Sequence, residues 1–145
     1  MLYDLTKKTE VDRLKQWLLE QVKKCNLVEC KAKKQGTLSQ NNYFHLIVSY
    51  FALQYGETME YIKVEFVKKC ICKEIFKTER ANRVTGELRP ALRSWADLDK
   101  EERTIVINKF IDYAAKEAKI RLPQPEDLAY LKEVRVEVER NKQYL

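Results

Sequence analysis

The chain has 145 residues, enough to close one sizeable core and too few to make a second domain the expectation, so residues 1–145 are read as one unit. Its 28 basic and 22 acidic residues leave a net charge of +6, and only three glycines and three prolines interrupt it, a balance that points to long helices on a soluble protein. No apolar run approaches the roughly 18 residues of a membrane span, and Met1-Leu2-Tyr3-Asp4 lacks the basic and apolar regions of a secretion signal; this argues against a membrane protein and for a cytoplasmic one.

From the N-terminus, residues 1–6 are short and apolar enough for a strand. Thr9-x-x-Asp12 then opens a segment in which Val11, Leu14, Leu18, Val22 and Cys25 recur at helical spacing, predicting a helix with one buried face. From Leu27 to Lys34 the period changes to two. Val28, Cys30 and Ala32 alternate with Glu29, Lys31 and Lys33, as in a half-buried strand whose other face presents lysines. The stretch Gly36 to His45, GTLSQNNYFH, follows. Thr37-x-x-Gln40 fits a capping box, so a second helix is predicted there, with Tyr43, Leu46, Ile47, Tyr50 and Phe51 toward the core and Gly56 as its C-terminal cap.

A third helix is predicted from about Thr58 to Phe76, with Tyr61, Ile62, Phe66, Val67 and Ile75 on its apolar side. Between Lys77 and Trp95 the helical pattern breaks. Val84-Thr85-Gly86-Glu87-Leu88 reads as a turn between two short extended pieces, and Pro90 prevents a long helix. Asp99-x-x-Glu102 is a further capping box, opening a helix with Val106, Phe110, Ile111, Ala114 and Ala118 inward. Leu122-Pro123-Gln124-Pro125 stops it. Pro125 at a first-turn position, with Glu126 and Asp127 near the positive end of the dipole, begins a last helix carrying Leu128, Leu131, Val134 and Val138 in register. There is no internal repeat. The expected fold class is α+β: a small sheet, made of an early strand-helix-strand unit plus a short hairpin, packed with several α-helices.

The four cysteines, Cys25, Cys30 and a Cys70-x-Cys72 pair, do not form the Cys-x2-Cys or Cys/His spacings of a zinc site, and His45 is the only histidine. Reduced, mostly buried thiols are expected, with no metal and no cofactor. Charge is more telling. Through Ala96 there are 18 basic and 11 acidic residues, and beyond it the balance is close to neutral. Two clusters stand out: Lys23, Lys24, Lys31, Lys33 and Lys34, then Lys63, Lys68, Lys69, Lys73, Lys77, Arg80, Arg83, Arg89 and Arg93. Phosphate backbones reward such clusters because each neutralised phosphate releases counterions, and arginine adds bidentate contacts and stacking. The helical lysines equally suit a solvated face, since Glu65 and Lys69 are four apart. Loop arginines have no helix face to decorate, which favours binding. Asn41, His45 and Ser49 fall at i, i+4 and i+8 and share one face; amides, an imidazole and a hydroxyl there can donate to phosphate oxygens or base edges, or can simply be the solvated side of a helix.

The lysine-bearing segment, then Thr37-Leu38-Ser39-Gln40-Asn41 leading into an aromatic-rich helix and Gly56, resembles the NinB family of phage lambda Orf-like recombination proteins. The likeness extends to the order of later elements, including the basic loop and the helix after Trp95. The resemblance implies a homodimer, phage or prophage encoded and acting in a bacterial host cell. Such a protein binds single-stranded DNA and assists recombinase loading alongside a single-strand-binding protein. Gln40 and Asn41 match the motif's amide pair, and His45 falls where the lambda protein has a tryptophan. Gly36 stands where the family often has an arginine before Ser/Thr-Leu, a departure for which Lys33 and Lys34 are the neighbouring cations.

The expected function is therefore non-catalytic binding of single-stranded DNA. Lys31, Lys33, Lys34, Arg80, Arg83, Arg89 and Arg93 would track phosphates, Gln40, Asn41 and Asn42 would supply hydrogen bonds, and His45 would stack on a base. Two alternatives remain open: a metal-dependent DNA nuclease, for which Glu57, Glu60, Glu65 and Glu79 lie near basic regions without a recognisable nuclease pattern, and a basic protein–protein interaction module.

Overall fold

Residues 43–52 read YFHLIVSYFA, apolar on nearly every side, and a helix hydrophobic all round has to be buried. In the computed structural model, which describes residues 3–32 and 39–145, this stretch lies in the central helix α2 (Gln40–Tyr55). Tyr43, Phe44, Leu46, Ile47, Val48, Ser49, Phe51 and Ala52 are all buried. Gly56 ends α2 at φ 84°, the left-handed geometry expected of a C-terminal cap, and both Gly56 and Glu57 donate their N–H to the Ala52 carbonyl. The N-terminal cap is Ser39, whose hydroxyl accepts from the Asn42 N–H at 3.2 Å. Gln40 is therefore the first helical residue and not the third, which frees its side chain from the expected capping box; Thr37 lies outside the described residues.

Helices α5 (Lys100–Lys116) and α6 (Leu128–Arg140) pack against α2. In α5 the Asp99/Glu102 capping box forms in both directions, and Val106, Ile107, Phe110 and Ala114 are buried, with the Phe110 ring 5.2 Å from that of Phe51. The helix ends well before Pro123. Leu122 and Pro123 instead plug the core, where the Pro123 carbonyl accepts the Tyr43 hydroxyl at 2.6 Å. Asp127 caps α6 by accepting from the Tyr130 N–H, so Pro125 sits in the preceding turn and not in the first helical turn; Leu131 and Val134 are buried while Leu128 is left exposed.

The third helix runs as predicted from a Thr58 cap, but in three pieces: α3 (Met59–Tyr61), a π-helical segment (Ile62–Ile71) and α4 (Lys73–Phe76). Hydrogen bonds reaching five residues back stack each side chain over the one five before it. Ile62, Val67 and Cys72 follow that spacing and are all buried. An α-helix would have turned them to different sides. Beyond α4, β1 (Lys77–Ala81) and β2 (Leu88–Leu92) form an antiparallel hairpin with Lys77 opposite Leu92, Arg80 opposite Arg89 and Ala81 opposite Leu88.

Among the described residues the sheet is this hairpin alone, and the class is a small α+β fold. The early strand-helix-strand unit does not form there: residues 3–6 and 27–32 carry no strand, and residues 27–32 are all exposed. An alternating pattern makes a strand only when it pairs with another, and residues 27–32 pair with neither β1 nor β2. For the same reason Cys30 is exposed. Cys25 and Cys70 are exposed as well, correcting the expectation of mostly buried thiols; only Cys72 is in the core.

Helix α1 (Lys8–Lys23) forms, and of its predicted stripe Val11, Leu14 and Leu18 are half-buried while Val22 and Cys25 are exposed. Its buried residue is Glu10. Charges join this part of the chain to α6: Glu10 pairs with Arg140, Lys7 with Glu133 at 2.9 Å and Asp4 with Lys132 at 2.7 Å. Among the described residues no helix is long and apolar enough to cross a membrane.

Candidate nucleic-acid interface

An isolated two-stranded hairpin is marginal in water, so this one depends on how its base is held. Phe76, at the end of α4, is fully buried, and its carbonyl accepts the Arg93 N–H at 2.8 Å. The Arg93 guanidinium grips the Glu102 carboxylate with two bonds, at 2.9 and 3.1 Å, and donates to the Ile75 and Asp97 carbonyls at 3.2 and 3.0 Å. The Arg93 bonds hold Glu102 below the usual carboxylate range, and Glu102 in turn raises Arg93. Arg93 is thus the clasp of the hairpin, its donors already committed to the fold.

The other end is tied by the turn itself. Asn82 accepts the Val84 N–H on its side chain and the Gly86 N–H on its carbonyl, and Gly86 adopts φ 72°. Between clasp and turn, Arg80 and Arg89 stand directly opposite each other, with Arg83 in the turn, and all three are exposed. Arg89 lies 3.4 Å from Glu87. Like charges directly opposite in an antiparallel pair are destabilising, and an anion bound between them removes that cost. Guanidinium groups also have the planar fork that matches phosphate oxygens.

The start of α2 is engaged elsewhere. Gln40 Nε2 donates to the Lys100 carbonyl at 3.2 Å and to Thr104 Oγ1 at 2.9 Å, tying α2 to α5. Asn41 Oδ1 accepts from Trp95 Nε1 at 2.8 Å. The Trp95 ring is stacked on Phe44 at 3.7 Å and covered on another side by the Arg103 guanidinium at 5.6 Å. Ser49 is buried and bonds Met59 sulfur at 3.2 Å, so the expected polar face is closed at its far end, while Asn41 at its start is exposed. His45 is half-buried with its ring 5.8 Å from Phe44; burial, then the charge of Lys63, hold its pKa below the ordinary value, leaving the imidazole neutral at pH 7. Asn42 is exposed beside the cap.

Lys31 is exposed and paired with Glu29 at 2.7 Å; Lys33 and Lys34 lie outside the described residues. In the later cluster, Lys69 pairs with Glu65 as its spacing predicts and Lys63 lies 3.8 Å from Glu60. A groove of about 440 Å³ between α1 and α6 is lined by Asp4, Lys7, Glu10, Glu133 and Arg140. Glu137 lines it as well, and although Lys7, Arg140 and Lys132 each pair with a carboxylate there, the lining is acidic on balance. Among the described residues no three His, Cys, Asp or Glu side chains gather in a way that could hold a metal ion.

Sequence reasoning named the hairpin arginines but missed that two of them face each other. The signal was available: a six-residue turn from Asn82 to Glu87 places Arg80 opposite Arg89 once the strands pair. It also missed a group of rings. Tyr55, Tyr61 and Tyr113 surround Phe66 with ring centroids at 5.0, 6.2 and 6.0 Å. They come from three different helices, so no local pattern announces them. Comparison of the chain with family models, curated proteins and solved structures found no match.

Proposed function

We propose that this chain is a non-catalytic nucleic-acid-binding protein that holds the phosphates of single-stranded DNA with Arg80, Arg83 and Arg89. The resemblance to the NinB family extends the proposal to a role: a homodimeric, phage-type recombination mediator in the bacterial cytoplasm that assists recombinase loading with a single-strand-binding protein as partner. The observation that carries the binding reading is the opposed pair Arg80 and Arg89 on a hairpin anchored at its base by Arg93. A like-charged pair costs stability in the free protein, and a phosphate offsets that cost. Burial of a charge is not needed, because released counterions supply the affinity.

Binding of labelled single strands and duplexes across a salt series tests this. Three phosphate contacts predict that log K falls against log salt with a slope of about −2 on single strands. A flat salt dependence would remove the electrostatic account. Tighter binding to duplex would move the reading to the major groove, which admits a two-stranded ribbon. Loss of intact DNA in the presence of magnesium or manganese, prevented by chelation, would overturn the non-catalytic part.

A further inference from the structure

We infer that the tyrosines around Phe66 form a stacking platform for the bases of the same single strand whose phosphates the hairpin holds; this rests on the reading just given. Phe66 is the centre. Tyr55 meets it at 72° between ring planes, Tyr61 at 62° and Tyr113 at 70°, so three phenol rings stand edge-to-face around one phenyl ring. Behind them, fully buried Phe51 stacks on Tyr55 at 5.8 Å and touches Phe66 at 5.7 Å. The rings are therefore pinned from the core side by α2, α5 and the helix from Met59, and they present their outer faces without any loop to move.

Two of the three are open: Tyr55 is 50% exposed and Tyr61 45%, with Tyr113 half-buried beside them, whereas buried Tyr43 and half-buried Tyr130 turn their hydroxyls to the Pro123 and Arg121 carbonyls. Aromatic rings held rigid and half in water suit sequence-tolerant binding, because every base has a face to stack and only an unpaired base exposes it. The charges nearby are mixed. Glu65 is paired with Lys69, and Lys109, one helical turn before Tyr113, is close enough to Cys72 to act on its thiol. Burial chiefly, then Cys70 and Glu117, raises the Tyr113 phenol pKa. The helical run that carries Phe66 continues through Ile71 and α4 to Phe76 at the foot of the hairpin, so the rings and the arginines are borne by adjoining elements of the chain.

The test compares the full chain with Tyr55→Ala/Tyr61→Ala and Tyr55→Phe/Tyr61→Phe double variants, using fluorescence anisotropy with a labelled mixed-sequence single strand and an abasic strand of equal length. Circular dichroism checks that each variant is folded. The alanine variant should bind the normal strand about tenfold more weakly and the abasic strand as the parent does, and the phenylalanine variant should bind both as the parent does. The platform is refuted if the alanine variant binds the normal strand like the parent, or loses both strands equally while folded. If the parent binds normal and abasic strands alike and Arg80→Ala abolishes both, the hairpin reading stands and the platform falls. If the parent binds neither strand, both fall.

Discussion

Replacing Arg80 with threonine separates a binding arginine from a structural one, because the two roles give opposite signs for stability. In the register of the hairpin Arg80 faces Arg89, and the nearest compensation is Glu87, 3.4 Å from Arg89. Opposed pairs of this kind contribute roughly 0.2–1 kcal/mol, and like charges take the unfavourable sign. With Arg89 partly compensated, Arg80→Thr should stabilise the fold by about 0.5 kcal/mol, and threonine is well suited to a strand. For a chain of this size that is a rise of about 2 °C in Tm. Binding should move the other way: one lost phosphate contact reduces the salt slope on a single strand by about 0.7 and weakens binding most at low salt. Thermal unfolding by circular dichroism and an anisotropy salt series read the two effects on the same sample. A variant that melts earlier and binds DNA unchanged would show that Arg80 serves the hairpin, and the reasoning from the opposed pair would be wrong.

Two further outcomes bear on the fold around the site. Asn41→Leu leaves the indole N–H of Trp95, a residue only 5% exposed, without its acceptor, and should cost about 1–3 kcal/mol in chemical denaturation while leaving DNA binding at the parent level below the transition; weakened binding with unchanged stability would instead make Asn41 a contact residue. Asp4 is held at a pKa of about 2, against an ordinary 3.8, chiefly by its bond to Lys132, with burial opposing and Thr6 assisting. Since its folded pKa is depressed, the contribution is fully present above pH 3.8 and is lost as pH falls toward 2, and it amounts to about 2 kcal/mol. Acid unfolding of Asp4→Asn should therefore lack that component, and a stability difference from the parent that persists unchanged at pH 2 would contradict the assignment.

Local chemistry along the chain was legible without any structure. Gly56 stops α2, Asp99 and Glu102 open α5, and the turn before Leu88 makes a hairpin, each because the groups involved lie within a few residues of one another and satisfy one another's backbone. Periodicity was less safe wherever it depended on a partner. Leu27 to Ala32 alternates like a strand but pairs with neither hairpin strand, and the α1 stripe is only half-buried, α1 being tied to α6 by the Glu10–Arg140 pair. Of the polar residues expected to share a face of α2, Ser49 is buried against Met59 and His45 is half-buried, while Asn41 is exposed and accepts from Trp95.

The candidate site divides in the same way. That arginines cluster where the chain breaks helix is readable from residue order alone, since composition and turn residues are local facts. Which of them are available follows from packing. Arg93 closes on Glu102, nine residues ahead, while the strands set Arg80 opposite Arg89, whose carboxylate partner is Glu87 in the exposed turn. Packing also brings Tyr55, Tyr61 and Tyr113 together, because rings separated by as many as 58 residues meet only when their helices pack around the same Phe66.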